Sequence, residues 1–448
     1  MAVWSEVNLS AIELTRCDAE FYRPEYLAAR KKAGDRRLKS YGVSVLHPAE
    51  FVRKYEDSGL FVLLAQNNRN NSYDWSVKRY ASEKLADVLC RNRLEYGDVT
   101  ITRSGANYGQ SSIIGNELEE QDVFACADLL VLRPRGVEGH LVSTFFNTTV
   151  GRLLLDRGAY GAAQPHLAPN YIREIPFPES LLDHQAEIKE ILNLSRTLSC
   201  QSDLAYTQAQ QLLESELAQD KLRFDKPVGY TARFSELELS RRFDSEHYYP
   251  AFENLKANLP KGVRLVPLGP LLNFCQRGKQ PIYSENGLPV LNSKHILENK
   301  ITLKGNRYAK PNPVPSLQIQ HGDVLINGTG RGTIGRTAPY LINEHQTIPD
   351  NHVTILRSPT LDPAYLSFYL NSLAGKLQVE KYQRGSSGQL ELYPFDIRKF
   401  QVWDAPQSIQ QEIRRLYEQA TESAKQSREL LDQAKSRVEQ LIEEAVRT

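Results

Sequence analysis

The stretch INGTGRGTIGRTA, Ile326 to Ala338, places glycines at 330, 332 and 335, the G-x-G-x-x-G spacing of a dinucleotide-binding loop. That chemistry needs a strand, the glycines, and then a helix whose N-terminus faces the pyrophosphate. The strand is present as DVLIN, but RTAPYLI follows Gly335, and its Pro339 with β-branched and aromatic neighbours reads as another strand. The related stretch RSGANYGQ keeps Gly105 and Gly109 and lacks the middle glycine. A hairpin whose glycines supply positive φ is therefore expected, with no bound nucleotide. Other catalytic machinery is missing from the sequence. There is no G-x-x-x-x-G-K-[ST] loop, no H-E-x-x-H, and no N-P-P-Y or D-P-P-Y, since APNY at Ala168–Tyr171 has the wrong order. Cys17, Cys90, Cys126, Cys200 and Cys275 include no C-x-x-C pair, which argues against zinc and against a disulfide framework. The expectation is a non-enzyme that binds no metal or cofactor itself.

Binding chemistry is better represented. Arg103, Ser104, Asn107, Tyr108 and Gln110 crowd one glycine loop, and Asn327, Thr329, Arg331, Thr333 and Arg336 the other. Arginine pairs bidentately with guanine, Asn and Gln with adenine, and Ser or Thr with phosphate. Solvated polar turns look similar, so the pattern does not stand alone. A second polar and aromatic run, Gln66 to Arg79, carries Asn67, Asn68, Arg69 and Lys78, and its counterpart carries Arg277, Lys279, Gln280 and Lys294. A third pair of loops, Arg157–Leu167 and Tyr382–Leu392, offers Gln164 and His166 in one and Arg384, Ser386 and Ser387 in the other. A lone histidine such as His166 is more often structural than catalytic.

Composition sets few limits. The chain has 448 residues, suggesting two to four domains, and 41% hydrophobic residues. No apolar run approaches the roughly 18 residues of a membrane span. MAVWSEVNLS reads as lacking a secretion signal, so a cytoplasmic location is expected. With 55 basic and 54 acidic residues, net charge gives no electrostatic footprint for nucleic acid and does not exclude one.

The elements that must position these loops are written twice. Arg16, Asp18, Glu20 and Tyr22 recur as Arg242, Asp244, Glu246 and Tyr248, at an offset of 226. GLFVLLAQ from Gly59 is echoed by GLPVLNSK from Gly287, at 228. Gly97-Asp98-Val99 matches Gly322-Asp323-Val324, and Ile172-Arg173 matches Ile397-Arg398, both at 225. Gln185, Glu187 and Ile188 match Gln410, Glu412 and Ile413, again at 225. Five echoes in one order imply a tandem duplication of about half the chain.

Each copy divides into two parts. Short β-branched runs (DVTIT, LLVLRP, DVLIN, HVTILR) punctuated by Gly, Asn and Pro predict strands, with helical patterns LVSTFFNTTVGRLLLDR and PAYLSFYLNSLAGKLQVEK between them. The fold class is α+β: two mixed α/β globular domains in tandem, 1–178 and 226–405, each followed by a long helix, 179–225 and 406–448. From Gln407 onward there is no Gly or Pro. Ile413, Leu416, Ala420, Ser423, Ser427, Leu431, Ala434, Val438, Leu441 and Ala445 step by three and four along it. Ile188, Ile191, Ser195, Leu198, Ser202, Ala205, Ala209 and Leu212 do the same in the first copy. Such seams suit an antiparallel coiled coil, with small residues allowing close approach and a rod about 60 Å long. Packing of each helix on its own domain, or homodimerisation, is the alternative.

Two globular domains each followed by a long helix, within one duplicated chain, resemble the specificity subunit of a type I restriction-modification system. The resemblance rests on GDVTITRSGANYG and GDVLINGTGRGTIGR, on GAYGAAQPHL leading to IREIPFP, and on HQAEIKEIL and QQEIRRLYEQ opening the helices. It spans nearly the whole chain. GLFVLLAQNNRNN departs from the family pattern that GLPVLNSKHI, with its Pro289, keeps. The resemblance implies two target recognition domains, each reading one half of a gapped double-stranded DNA site. It implies that the paired helices, through Ile188, Ile191, Leu198, Leu212, Ile413, Leu416, Leu431, Val438 and Leu441, set the spacing and dock DNA methyltransferase subunits. Those partners would carry S-adenosylmethionine, and a motor-nuclease subunit is a further partner it allows. The competing reading is a coiled-coil scaffold with two protein-binding heads, which predicts no salt-sensitive affinity for DNA.

Overall fold

The computed structural model describes residues 5–7, 12, 16–105, 107–115, 121–161, 165–219, 222, 229–310, 317–342, 346–385 and 390–447. Two compact units form: residues 1–200 with 423–448, and residues 201–422. The division runs through both long helices instead of falling at 178 or 405, because apolar side chains of each helix enter a unit's core.

In unit one the strands are β1 (Ser44–Leu46), β2 (Tyr55–Glu56), β3 (Leu60–Leu63), β4 (Tyr80–Ala81), β5 (Val99–Thr102), β6 (Ser111–Ile113), β7 (Val123–Ala125) and β8 (Leu129–Arg133). They make two four-stranded sheets, ordered β1-β8-β5-β6 and β2-β4-β3-β7. The first is antiparallel, while β3 and β7 pair in parallel. The β-branched run of β5 is buried along its whole length, and the hydroxyls of Thr100 and Thr102 both hydrogen-bond Asn68 inside the protein.

Unit two has β9 (Phe274–Arg277), β10 (Tyr283–Ser284), β11 (Leu288–Leu291), β12 (Tyr308–Ala309), β13 (Asp323–Asn327), β14 (Thr337–Tyr340), β15 (Ile348–Pro349) and β16 (Val353–Arg357). Its sheets are ordered β9-β16-β13-β14 and β10-β12-β11-β15. Here too the second sheet contains one parallel pair, β11 with β15. Order and pairing sense of the four-stranded sheets therefore agree between the units, while unit two adds two two-stranded sheets, Leu265–Pro267 with Gln401–Trp403 and Ile296–Leu297 with Lys300–Ile301.

The two helical patterns do form helices, but not unbroken ones. Each is split: α1 (Gly139–Asn147) and α2 (Thr149–Gly158) in unit one, α4 (Pro363–Asn371) and α5 (Leu373–Tyr382) in unit two, with α3 (Gln185–Glu216) lying between them in the chain. Thr148 (φ −74°, ψ 165°) and Ser372 (φ −69°, ψ 172°) leave helical geometry, and the Thr148 hydroxyl accepts from the Gly151 amide at 3.1 Å. Gly151 and Gly375 then let the second helix fold onto the end of the first. A Cβ there would stand 2.0 Å from the Phe145 carbonyl oxygen and 2.1 Å from that of Leu370. No proline marks either break.

The long helices are α3 and α6 (Gln407–Arg447). In unit one, Arg437 donates to Glu187 at 2.9 Å, and Ser195 and Ser427 exchange hydroxyl-to-carbonyl bonds of 2.9 and 2.8 Å. Residue numbers thus rise along one helix as they fall along the other. Ile188, Leu192, Val438 and Ile442 share a core with Ile101, Leu130, Phe145 and Leu154. In unit two, Leu213, Leu217, Ile413 and Leu416 share one with Ile326, Leu356, Tyr365 and Phe368.

The seam read from sequence needs correction at its ends. Ile191, Leu198, Leu212 and Leu431 are half-buried, while Leu192 and Leu213 are the fully buried residues. Ala445 is exposed, and Ile442 is buried in its place. A strict three-four pattern drifts about 20° per heptad from a straight helix, enough to move the buried position by one residue. Among the described residues, no helix is long and apolar enough to cross a membrane.

Candidate nucleic-acid interface

Each unit builds one hairpin on a buried ionic clamp. In unit one Asp98, 1% exposed, accepts from Arg133 Nε at 2.9 Å and from its terminal nitrogen at 2.8 Å, and from the Glu95 amide at 2.8 Å. In unit two Asp323, fully buried, accepts from Arg357 at 2.6 and 2.8 Å and from the Gln320 amide at 2.7 Å. These clamps anchor the start of the strand that leads into each glycine loop.

A second brace ties the hairpin to its helix. Asn71 and Asn299 both sit in the left-handed region, at φ 57° and 58°. Asn71 Oδ1 accepts from Ser143 at 2.7 Å and Asn147 at 2.9 Å, and the Asn147 amide also donates to the Ser111 carbonyl at 2.8 Å. Asn299 Oδ1 accepts from Ser367 and Asn371, each at 2.8 Å, and the Asn371 amide donates to the Thr337 carbonyl at 2.7 Å. Asparagine fits because it tolerates that backbone and brings the acceptor. The helix entry repeats as well: the Glu138 amide donates to Gln185 at 3.1 Å and the Asp362 amide to Gln410 at 2.9 Å.

The glycine loops join antiparallel strands, β5 to β6 and β13 to β14. No helix opens after Gly335. Gly330, Gly332 and Gly335 have φ of 98°, 79° and 82°, the region that favours glycine. Gly335 and Gly109 also lie against the second helix of their unit. A Cβ would come 2.7 Å from Val379 and 2.5 Å from Arg152.

Beside each hairpin lies the third loop. The Leu167 amide donates to the Arg103 carbonyl at 3.1 Å, and Ser104 bridges to His166. The Leu392 amide donates to the Gly328 carbonyl at 2.8 Å, and Thr329 bridges to Glu391. The structure thus brings two of the three loops of each unit together. Gln164, Ser386 and Ser387 lie outside the described residues.

The candidate contact residues separate into internal braces and more exposed positions. Asn67 (1% exposed) donates to the Asp74 and Val77 carbonyls, and Asn68 (0%) to those of Thr100 and Gln110. Asn327 is equally buried, donating to Ser293 and Ile296. These three amides are committed inside the protein, which corrects the expectation that they face a ligand. Their sequence neighbourhood is polar because the loop needs internal partners for its carbonyls. Arg69 is tied to Asp74 at 2.9 Å, Arg277 to the Leu392 carbonyl at 2.9 Å, and Arg384 to buried Asp396 at 2.7 Å. Tyr108 donates to Asp156 at 2.5 Å beneath the Arg152 guanidinium, 4.6 Å from its ring, and burial with that bond pushes its hydroxyl up to about 12. Ser104 is buried and His166 half-buried, each held in the loop-to-loop bridge. Lys78, Asn107, Lys279, Gln280, Lys294 and Arg331 are exposed, with Arg103, Gln110 and Arg336 half-exposed.

A recess opens under each hairpin, about 450 Å³ and mainly polar in unit one, about 360 Å³ and mainly apolar in unit two. Gln110 with Arg152 lines the first, and Arg336 with Lys376, Glu298 and Glu380 the second.

No family model matches the sequence, and neither does any curated protein. Solved structures do match. The chain is similar to type I restriction-modification S subunits. With the S subunit from M. genitalium it shares 11% identity and a TM-score of 0.41, over 91% of this chain and 94% of that one. With the HsdS subunit from Thermoanaerobacter tengcongensis the identity is 13% and the TM-score 0.27, over 90% and 96%. A chain from a structure of type I R-M complex assembly and conformational transition gives 14% and 0.31, over 90% and 97%.

Sequence reading missed the residues that hold the hairpins. Arg133 and Arg357, Ser143 and Ser367, and Asn147 and Asn371 all recur at an offset of 224, so the repeat itself carried their signal. Arg152 and Lys376, both basic, recur at 224 as well. Lys435, on α6 at the edge of the unit-one recess, has no such echo.

Proposed function

We propose that the chain is the DNA-specificity subunit of a type I restriction-modification complex, itself non-catalytic. In this reading the two units are copies of one target recognition domain, each reading one half of a bipartite, gapped site in double-stranded DNA. The long helices pair as an antiparallel coiled coil that fixes the spacing and docks methyltransferase subunits. Those subunits bring S-adenosylmethionine and the catalytic residues, a motor-nuclease subunit can join them, and the complex works in the cytoplasm.

One observation carries the reading. The same hairpin platform is built twice on matched braces, Asp98–Arg133 with Asn71 and Asp323–Arg357 with Asn299. Its polar residues differ, exposed Asn107 and half-exposed Gln110 in one and exposed Arg331 and half-exposed Arg336 in the other. A frame held constant beneath divergent polar tips suits two readers of different sequences. Rigid separation of two such readers specifies half-site spacing in turns of DNA, and linkage raises the effective concentration of the second contact.

Binding to duplex DNA should weaken steeply with salt. With six to ten phosphate contacts shared between two units, affinity is expected to fall roughly 10³–10⁵-fold between about 50 and 200 mM salt. Fluorescence-anisotropy titrations of the complex across that range measure it. A flat salt response, or no affinity for DNA, would favour the protein-binding scaffold instead.

A further inference from the structure

Gln110 and Arg336 occupy one position in the two hairpins. Each follows the last loop glycine, and each carbonyl accepts from the last residue of the preceding strand, Thr102 or Asn327, at 2.9 Å. The amides of Gly109 and Gly335 donate back to those same strand residues at 2.7 and 2.8 Å. Both side chains line the recess beneath their hairpin. The basic residue on the second helix is already committed in each: Arg152 faces Asp156 at 3.3 Å, and Lys376 faces Glu298 at 3.0 Å.

What remains unspent differs in polarity. Gln110 Oε1 is buried with no hydrogen-bond partner inside the protein. An unpaired buried acceptor is costly, and only a donor relieves it. Arg336 has donors only, and among the described residues no carboxylate forms an ion pair with it.

We infer that each recess takes the edge of one purine, adenine opposite Gln110 and guanine opposite Arg336. The inference rests on the specificity-subunit reading and assigns the base at one position of each half-site. Adenine presents N6–H as donor and N7 as acceptor, matching the glutamine amide in both senses. Guanine presents N7 and O6, both acceptors, matching the arginine fork. In unit one Lys435 and Asn107 stand at the same recess, where the cation suits the phosphate of that nucleotide.

The test is selection of bound duplexes from a randomised pool by the full chain in complex with its methyltransferase subunits. Gln110→Arg is expected to move one position of one half-site from adenine to guanine, changing the preference roughly 5- to 150-fold. Arg336→Gln should make the reverse change in the other half, and the milder Gln110→Ala should relax its position without redirecting it. All other positions should stay as in the wild type. A wild-type gapped motif that all three variants leave unchanged, or weaken equally at every position, overturns the base assignment alone. A wild type with no sequence preference overturns the assignment together with the reading beneath it.

Discussion

Asp323→Ala should destabilise unit two by about 3–5 kcal/mol, because it leaves the Arg357 guanidinium without its anion beside a buried strand. Asp323 is fully buried and receives three hydrogen bonds, so nothing in water compensates their loss. Asp98→Ala should cost less in unit one. Arg133 has a second anion, Glu95 at 2.6 Å, which remains after the change. Among the described residues, Arg357 retains the face of Phe274, 4.9 Å away, and no second carboxylate pairs with it. Denaturant unfolding followed separately for the two units measures both. Equal costs, or less than about 1 kcal/mol for Asp323→Ala, would mean the clamp is not holding the strand. The double change Asp323→Ala with Arg357→Met should recover part of the loss, since removing both charges leaves none stranded.

Gly375→Ala should be nearly as damaging, for a steric reason. The added methyl would stand 2.1 Å from the Leu370 carbonyl oxygen and 2.4 Å from its carbon, both backbone atoms that cannot swing aside. Forced repacking of this kind costs about 1–3 kcal/mol, and backbone contact places this case at the upper end. Gly332→Ala supplies the contrast. Its φ is 79°, but among the described residues beyond its chain neighbours nothing lies within 4 Å of where a Cβ would stand, so only backbone strain of about 1 kcal/mol applies. Thermal unfolding of the two variants should separate them clearly. If Gly332→Ala proves the more destabilising, the helix-to-helix fold at Ser372 is not what Gly375 permits.

These contrasts also show where the sequence was readable. The hairpin around Gly330 was legible because Pro339 and its neighbours forbid the helix that a nucleotide loop requires, and β13 pairs with β14 there. Strand runs such as DVLIN were legible because buried β-branched segments leave few alternatives. The helix breaks at Thr148 and Ser372 were not, since neither Thr nor Ser interrupts an apolar pattern. Only the close approach of Gly151 and Gly375 to the preceding turn, which a Cβ would block, shows how the chain can bend there. Polar loops misled in a different way. Asn67, Asn68 and Asn327 look like recognition residues by type, yet an asparagine serves equally to pair loop carbonyls, and burial alone tells the two roles apart. The positions left facing the recesses, Gln110 and Arg336, were in the same polar list and could not be distinguished until the hairpins were aligned.

The most direct measurement is base-resolution mapping of methylated DNA from cells carrying this chain with its methyltransferase subunits. The account predicts a gapped two-part motif that vanishes when the chain is deleted, and that changes in one half only when either unit's globular part is exchanged. Methylation that persists unchanged after the deletion would contradict it.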